Sequence, residues 1–471
     1  MNHIKCIFLV IWLILAGYVY PNSADIIEFP DRTDLTLENG LRVILIGHHE
    51  QPTISYRFLV KAGVIDNPLG KEGLAEVTGE LLWSGTSSRT QDEIVDTIAL
   101  IGSTINILTR SHYTSVGLDV LKRYSEVGFE IFTDVILDPV FPSRELKRVR
   151  KEYINYAKLE LTDNHKIAFN HGDFLLFGPQ HPLGRVKTEK SLKGLNGKDV
   201  RTFYRRFFYP NNSILLVIGD FSQQETLDRI KNKFGQWEKA EVAERIQTKV
   251  DFSKSTSIRA VDKPKMTQAV IHLKQWGIDS GHEDYYAYQL MNYILGGGGF
   301  SSRLMEAVRA KGGKTYSIGS RYVGNFDYGV LSITTSTRNE QLLNTYQLIQ
   351  SELKKLIDGG ITAEELSKAK AYKIGSIPLQ LEAPGMIADK VLKAIVNGFT
   401  IDDLSKEIVY YKRVKIEDVN RVIKEYLHPE KLNIVIVGDV KKVKGQLEKI
   451  GHYEKVYYKS SLVKEPFLFF F

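Results

Sequence analysis

The feature that most constrains the fold of this chain is an internal repeat. Two separate segments recur about 220 residues later with the same pattern, 138–150 as 358–370 and 199–220 as 418–439. In the longer match, a helical pattern is followed by a proline, an apolar strand pattern and Gly-Asp. Two independent matches at nearly one offset indicate that a domain has been duplicated.

Each copy mixes strand and helix patterns. Apolar alternation predicts strands, and helical periodicity predicts amphipathic helices between them. The elements do not alternate regularly as β-α-β, so we expect an α+β fold of two homologous domains, each a mainly antiparallel sheet covered by helices. A charged, weakly patterned stretch separates the copies. We place the first domain at 27–238, the linker at 239–262, the second domain at 263–459 and a tail at 460–471.

The N-terminus has the pattern of a secretory signal. A short basic start precedes an apolar run from Cys6 to Tyr20, and small and polar residues follow it. We expect a signal peptide at 1–24, with an uncleaved membrane anchor as the alternative. The protein is therefore expected to be exported, to the periplasm. Cys6 is the only cysteine, so the exported chain has no internal disulfide and depends on packed cores.

Two common binding functions are not indicated. The net charge of +7 is spread over the chain, which predicts a solvated basic surface and not a nucleic-acid site. The glycine run 296–299 is not a nucleotide site, because it follows a helical pattern instead of a strand and no Gly-Lys-Ser/Thr follows it. Glycines between two helices predict a tight reversal, or a backbone that a ligand can approach closely.

The segment after these glycines holds a candidate catalytic pair. A helix pattern ends at Gly312 and Gly313, with Arg309 on its last turn, and a strand pattern starts near Tyr316. A reversal at the two glycines would bring the arginine and the tyrosine together, and both can donate hydrogen bonds to a carbonyl oxygen. The structural alternative is an arginine that stabilises the helix end and a half-buried tyrosine.

At these residues the chain resembles the pitrilysin and insulinase family of zinc peptidases, which includes the mitochondrial processing peptidases. Gly296–Arg303, Arg309 and Tyr316 are similar to the family's C-domain signature. The remaining segments that resemble the family are 37–46, 71–76 and 209–220. The resemblance implies two homologous α+β domains that form half of a clamshell around a peptide chamber.

The family's zinc motif is not intact. Family members that cleave peptide bonds carry His-x-x-Glu-His, in which two imidazoles on one helix face hold zinc and the glutamate is the general base. Here the corresponding positions are Glu76, Gly79 and Glu80. The family's distal glutamate ligand falls near Tyr156, with Glu152 and Glu160 one turn away on either side.

We therefore expect no catalytic zinc on this chain. Glu76 and Glu80 face the same way and could hold a hard cation, but zinc without imidazole or thiolate would be held weakly. The other histidines do not repeat at a spacing of four residues, so they do not rebuild the motif.

Some family members divide the site between two chains, and the resemblance assigns this one to the zinc-less role. It implies a heterodimer in which Arg309 and Tyr316 act on peptide held at the zinc of a homologous His-x-x-Glu-His subunit, with this chain inactive alone. Unfolded or short peptides would contact residues of the glycine run and of an edge strand at 102–115, namely Gly296, Gly297, Gly298, Gly299, Phe300 and Asn106. Two alternatives stay open: a scaffold or peptide-binding protein of the same fold, and an active hydrolase with an unrecognised metal site.

Overall fold

A computed structural model describes residues 26–242, 248–249, 251 and 256–460, without the side chains of residues 310 and 311. The expected signal segment and all but the first residue of the expected tail lie outside these residues. Within the described part of the chain, no helix is both long enough and apolar enough to cross a membrane. Two six-stranded sheets with helices on both faces form the fold.

The first sheet has the order β1-β2-β6-β3-β5-β4, and only β2 and β6 run parallel. Its strands are β1 (Arg32–Thr36), β2 (Arg42–Gly47), β3 (Thr53–Val60), β4 (Ile105–Thr109), β5 (Thr114–Leu121) and β6 (Ser213–Gly219). The helices of the first half are α1 (Leu74–Leu81), α2 (Gln91–Leu100), α3 (Ser125–Leu137), α4 (Ser143–Glu160), α5 (Asn164–Phe177), α6 (Glu189–Lys193), α7 (Gly197–Phe207) and α8 (Gln223–Phe234).

The second sheet has the order β12-β7-β11-β8-β10-β9, with β7 parallel to both of its neighbours. Its strands are β7 (Ile258–Asp262), β8 (Gln268–Gly277), β9 (Thr315–Gly324), β10 (Gly329–Arg338), β11 (Asn433–Gly438) and β12 (Glu454–Tyr457). The helices of the second half are α9 (Tyr285–Asn292), α10 (Leu342–Gly359), α11 (Ala363–Gly375), α12 (Pro384–Val396), α13 (Ile401–Ser405), α14 (Glu407–Arg413), α15 (Ile416–Tyr426) and α16 (Val440–Ile450).

The duplication and the α+β class are confirmed. Strands β2-β6-β3-β5-β4 of the first sheet correspond in order to β7-β11-β8-β10-β9 of the second. The outermost strand differs, because β1 runs antiparallel to β2 whereas β12 runs parallel to β7. One boundary needs correction: the linker expected at 239–262 includes β7 at its end, so the second domain begins before residue 263. Strand β7 has only five residues, three apolar and two charged, and this pattern was too short for a strand assignment.

Both sheets are buried on two faces, and each is covered on one face by a helix from the other half of the chain. Val43 and Leu45 of β2 belong to the core under the first-half helices, whereas Ile44 and Ile46 pack with α12. Reciprocally, α5 packs on β8 and β11 of the second sheet. The continuous apolar strands require this double cover, since each would otherwise expose one row of side chains to water.

Polar contacts also fix the exchanged helices. In the first sheet the buried Arg57 pairs with Asp119 at 2.8 Å and with Asp389 of α12 at 2.7 Å. In the second sheet the buried Lys274 pairs with Asp173 of α5. A buried charge is tolerated only when it is paired, so these contacts set where each helix lies on the opposite sheet.

Candidate functional site

Helix α1 presents the positions of the family zinc motif, and Glu76 is engaged by the protein itself. Lys187 lies 3.0 Å from one oxygen of its carboxylate, and the Asn67 amide donates to the other at 3.3 Å. Glu76 is only 9% exposed. Both carboxylate oxygens therefore have partners, and the lysine ammonium supplies the positive charge that a metal ion would otherwise bring.

At Gly79, the position of the general base, neighbouring side chains occupy the space that a side chain would need. A Cβ atom built there would lie 2.7 Å from the Thr109 hydroxyl oxygen and 3.3 Å from a Thr114 methyl carbon. The two threonine hydroxyls lie 3.1 Å apart, and Thr114 donates to the carbonyl of Ala62 at 2.8 Å. A glutamate at 79 would have to displace this pair, because α1 and β4 are already in contact.

Of the remaining positions, Glu80 has a partner within the protein, whereas Tyr156 is exposed. The indole N–H of Trp83 donates to Glu80 at 3.3 Å. Tyr156 is 58% exposed, and its ring stands perpendicular to that of Tyr153 with 6.0 Å between centroids. Burial, with the nearby Glu80 and Glu76 carboxylates, raises the pKa of Tyr153, so its phenol stays protonated and donates to the Glu76 carbonyl at 3.4 Å.

These residues do not fit a zinc ion. Glu152 pairs with Arg148 at 2.8 Å and Glu160 lies 3.8 Å from Lys166, so the acids near the distal ligand position are also paired. Across the described residues, no three His, Cys, Asp or Glu side chains are grouped as a metal site would require. A carboxylate-only site for a hard cation would compete with Lys187 for Glu76.

The first two glycines of the run end a π-helical turn, Tyr293–Gly297, and a second π-helical turn follows at Met305–Lys311. The helix expected after the glycines is therefore wound more widely than an α-helix, a form that is rare and often found near functional sites. Gly296 is buried, and a Cβ atom there would lie 2.3 Å from the backbone nitrogen of Ser320 in β9. Close approach of the protein's own strand thus accounts for this glycine without a substrate, whereas Gly297 and Gly299 are exposed.

Arg309 and Tyr316 lie side by side. The guanidinium carbon of Arg309 is 5.3 Å from the centroid of the Tyr316 ring. The reversal between them uses Gly313, which has φ +57° and donates from its N–H to the Arg309 carbonyl at 3.0 Å. This left-handed conformation suits glycine. Tyr316 is 87% exposed, which excludes the half-buried tyrosine of the structural alternative.

Phe300 completes a group of three side chains around the arginine. Its ring centroid lies 4.8 Å from the Arg309 guanidinium carbon, and the side chain is 79% exposed. The guanidinium therefore contacts two aromatic rings, and cation–π attraction limits its orientations. Within the described residues, no carboxylate pairs with Arg309 and no acceptor engages the Tyr316 hydroxyl, so the polar hydrogens of both are available to a ligand.

The segment 102–115 contains the expected edge strand as β4, together with a turn and the start of β5. Among the described strands, β4 pairs with β5 alone. Asn106 and Leu108 are exposed on it, while Thr109 at its end contacts α1 beside Gly79. A free strand edge can accept an extended peptide by main-chain hydrogen bonds. The role of Asn106 in peptide binding stays a prediction.

Two residues of the site were not found from the sequence, and one contact of a third residue was missed. Lys187 and Thr109 lie far from α1 along the chain and carry no motif of their own, so nothing marked them as partners of Glu76 and Gly79. Phe300 was expected to contact peptide, and its stacking on Arg309 was missed. Phe300 and Arg309 are nine residues apart, and this spacing indicates a contact only if the wide π-helical turn at Met305–Lys311 is known.

Comparison with known protein families supports the resemblance. Residues 42–172 match the family described as "Insulinase (Peptidase family M16)", and residues 194–373 match "Peptidase M16 inactive domain". Together these segments span well over half of the chain. The second segment crosses from the first domain into the second.

Relatives of similar length carry differing names. A Bacillus subtilis protein named uncharacterized zinc protease YmxG is 26% identical over 398 residues, 83% of this chain and 94% of that protein. A Helicobacter pylori protein named non-peptidase homolog YmxG is 23% identical over 379 residues, 79% of this chain and 86% of that protein.

Solved structures show the same fold. The peptidase M16 inactive domain from Pseudomonas fluorescens superposes with a TM-score of 0.80 at 23% identity, covering 87% of this chain and 98% of that one. A protease from Helicobacter pylori gives a TM-score of 0.80 at 20% identity, with coverage of 87% and 100%. The chain therefore belongs to peptidase family M16, and the replacement of its zinc motif by Glu76, Gly79 and Glu80 makes it a non-catalytic member of that family.

Proposed function

We propose that this chain is the zinc-less subunit of an exported, heterodimeric zinc endopeptidase. Its partner would be a homologous subunit that carries His-x-x-Glu-His and holds the zinc, and the substrates would be unfolded or short peptides. The observation that carries this proposal is the Arg309–Tyr316 pair: the two side chains are adjacent, Arg309 is half-buried and Tyr316 is exposed, and neither has an internal acceptor among the described residues. Export rests on the apolar N-terminal segment, which lies outside the described residues.

The chemistry assigned to the pair is stabilisation of negative charge. When water adds to a peptide carbonyl, the oxygen becomes anionic, and donors already aimed at that oxygen lower the barrier. The guanidinium of Arg309 and the hydroxyl of Tyr316 are such donors, and Phe300 restricts the guanidinium before substrate arrives. The pair would act on a carbonyl presented by the partner, where zinc supplies the activated water.

The exposure of the pair supports action across an interface. Hydrogen bonds to a charged oxygen are weak in bulk water and become strong where water is excluded. Tyr316 and Phe300 are each more than three-quarters exposed in this chain alone. A second protein surface that covers them would supply the dry environment that the chemistry needs.

A second candidate is a peptide-binding scaffold of the same fold with no part in catalysis. The free edge of β4, with Asn106 and Leu108 exposed, favours this candidate because an extended peptide can add there without any metal. In that case Arg309 and Tyr316 would have no effect on peptide cleavage by any partner.

Reconstitution separates the two candidates. The homologous chain with intact His-x-x-Glu-His from the same genome is assayed on an unstructured fluorogenic peptide, alone and after addition of this chain. We expect cleavage only in the mixture, and expect Arg309→Ala and Tyr316→Phe to form the same complex without restoring cleavage. Arg123→Ala is the matched control, since Arg123 also lies over a tyrosine, Tyr124, at 4.8 Å and is exposed. Full restoration by the Arg309 and Tyr316 variants would leave the scaffold as the remaining function.

A further inference from the structure

A surface pocket adjoins Tyr316 and lies where the first half of the chain meets the second sheet. Its volume is about 540 Å³. The pocket is lined by the turn before β9, the start of β9, the end of β10, the first residue of β8 and His165 of α5. Tyr316 itself forms part of the wall, so any ligand of the Arg309–Tyr316 pair borders this pocket.

The lining is basic and contains no acid. Lys314, Arg338 and His165 contribute the basic side chains, and Gln268 adds an amide. Within the described residues, neither Lys314 nor Arg338 makes an ion pair. Asp163 is close in sequence, but its carboxylate already accepts from the backbone N–H groups of His165 and Lys166 at 2.8 and 3.1 Å. The pocket therefore presents unneutralised positive charge.

A neighbouring pocket shows that this charge is not a general property of the domain surface. The pocket around Arg303 and Lys355, of about 340 Å³, contains Glu306 and Glu352 in its own lining. Arg303 pairs with Glu365 at 2.6 Å, and Lys355 lies 3.3 Å from Glu352. Basic side chains there are balanced locally, whereas those beside Tyr316 are not.

Hydroxyl groups make the wall of the basic pocket rigid. The pairing of β10 with β9 shifts register between Thr335 and Thr337, and three internal hydrogen bonds hold the irregularity. Thr335 donates to the Thr315 hydroxyl at 2.8 Å, Thr315 donates to the Ser336 carbonyl at 2.6 Å, and Thr337 donates to the Lys314 carbonyl at 2.7 Å. These bonds fix the backbone that carries Lys314 and Arg338, so the two cations are presented on a preformed surface.

We propose that this pocket binds a carboxylate of the peptide, either an acidic side chain or the peptide's C-terminus, close to the residue whose carbonyl faces Tyr316. That the ligand is a peptide rests on the proposed function. The inference adds the class of peptide, namely acidic peptides. Lys314 and Arg338 are the direct partners of the carboxylate, since charge-assisted hydrogen bonds from Lys and Arg are the strong form of carboxylate recognition. Adjacent residues of an extended peptide are about 3.3 Å apart, so a group next to the carbonyl reaches the pocket.

The test measures binding to the purified mature chain without a partner, so it does not depend on zinc or on cleavage. Fluorescence anisotropy compares short, labelled, otherwise neutral peptides in which one Glu is moved along the sequence and replaced in turn by Gln. A second series compares a free C-terminus with an amidated one. We expect at least one acidic peptide to bind about tenfold more tightly than its neutral counterpart at low ionic strength.

Variants locate the effect. Lys314→Gln combined with Arg338→Gln should reduce the preference to about twofold or less, while Arg123→Gln combined with Lys198→Gln, which removes the same charge from exposed first-domain positions, should retain it. No preference for any acidic peptide, or a preference that survives the pocket variant, would overturn the proposal. The two tests are independent. If acidic peptides are not preferred, cleavage by the reconstituted complex can still be observed, and if reconstitution gives no cleavage, the preference for acidic peptides can still be measured.

Discussion

The two halves of the molecule treat the family's catalytic groups in opposite ways. On α1, the replaced zinc positions are closed: Glu76 pairs with Lys187, and the space beside Gly79 is filled by Thr109. Around Arg309, the donors are open, with Tyr316 and Phe300 exposed. The closed face makes contacts that stabilise the fold, whereas the open face leaves its hydrogen-bonding capacity unused. The chain has thus filled the positions of the zinc motif, whereas the pair to which we assign the remaining catalytic role stays available to a ligand.

The largest expected effect is on the open face, and it concerns activity alone. Arg309→Ala should lower kcat of the reconstituted peptidase by about 10²–10³-fold, the usual loss when one donor to a developing oxyanion is removed. Because no ion pair or buried contact is lost, the free energy of unfolding should change by less than about 0.5 kcal/mol. Steady-state kinetics and urea unfolding measure the two quantities. A large loss of stability would mean that the open face is structural.

On the closed face the expectation is reversed. Gly79→Glu, which restores the residue type of the general base, should destabilise the chain by about 1–3 kcal/mol because its side chain meets Thr109 and Thr114. Gly445→Glu is the matched control: Gly445 lies in α16 with no atom near its missing Cβ, so the change should be neutral or slightly stabilising. Equal effects of the two substitutions in urea unfolding would show that α1 is not closed.

Acid should reduce the free energy of unfolding through two buried histidines that lie between α5 and the second sheet, the sheet that carries the open face. Burial lowers the pKa of His171 and of His272 to about 3 each. The unfolded chain takes up these protons below about pH 6.5, so their contribution is complete above that pH and is lost as the pH falls toward 3. Arg259 and Lys274, which lie nearby, oppose protonation further.

The measurement is the free energy of unfolding at several pH values. Between pH 7 and 5, each buried histidine should account for a loss of about 1–2 kcal/mol. His272→Gln should therefore flatten the pH dependence, while His452→Gln, at an exposed position, should leave its slope unchanged. An unaltered slope in His272→Gln would contradict the neutral, buried state of this imidazole.

The smallest effect concerns Phe300 and distinguishes two roles for it. If Phe300 positions Arg309, Phe300→Ala should lower kcat about two- to fivefold at constant KM. This factor corresponds to the free energy of an exposed cation–π contact. Phe300→Tyr should retain activity, because its ring can still stack. If Phe300 instead binds peptide directly, as the sequence suggested, KM should rise while kcat stays the same.

Local pattern predicted much of this architecture. The repeat offset indicated two domains, and the apolar pattern before Gly219 predicted a strand, which is present as Ser213–Gly219 and is buried along its whole length. The Gly312–Gly313 reversal also brought Arg309 to Tyr316 as expected, because the geometry of a short turn is encoded in adjacent residues.

What the sequence did not reveal depends on contacts between distant segments. The pairing of Glu76 with Lys187, more than a hundred residues away, leaves no spacing that can be recognised. The pocket beside Tyr316 combines His165 from the first half with Lys314 and Arg338 from the second. The packing of α5 on the second sheet and of α12 on the first was missed for the same reason. An amphipathic pattern shows that one face of a helix is buried, but not against which sheet.

The reciprocal placement of α5 and α12 bears on how such a chain could have arisen. Two identical single-domain ancestors that each lent a helix to the other would form a symmetric swapped dimer, in which neither subunit is complete without its twin. Joining the two genes end to end would give one polypeptide with this arrangement. Once joined, the two copies no longer had to be identical, although each still depended on the other for the helix that covers its sheet. Loss of metal ligands in one copy and retention of the arginine and tyrosine in the other then required no change in architecture.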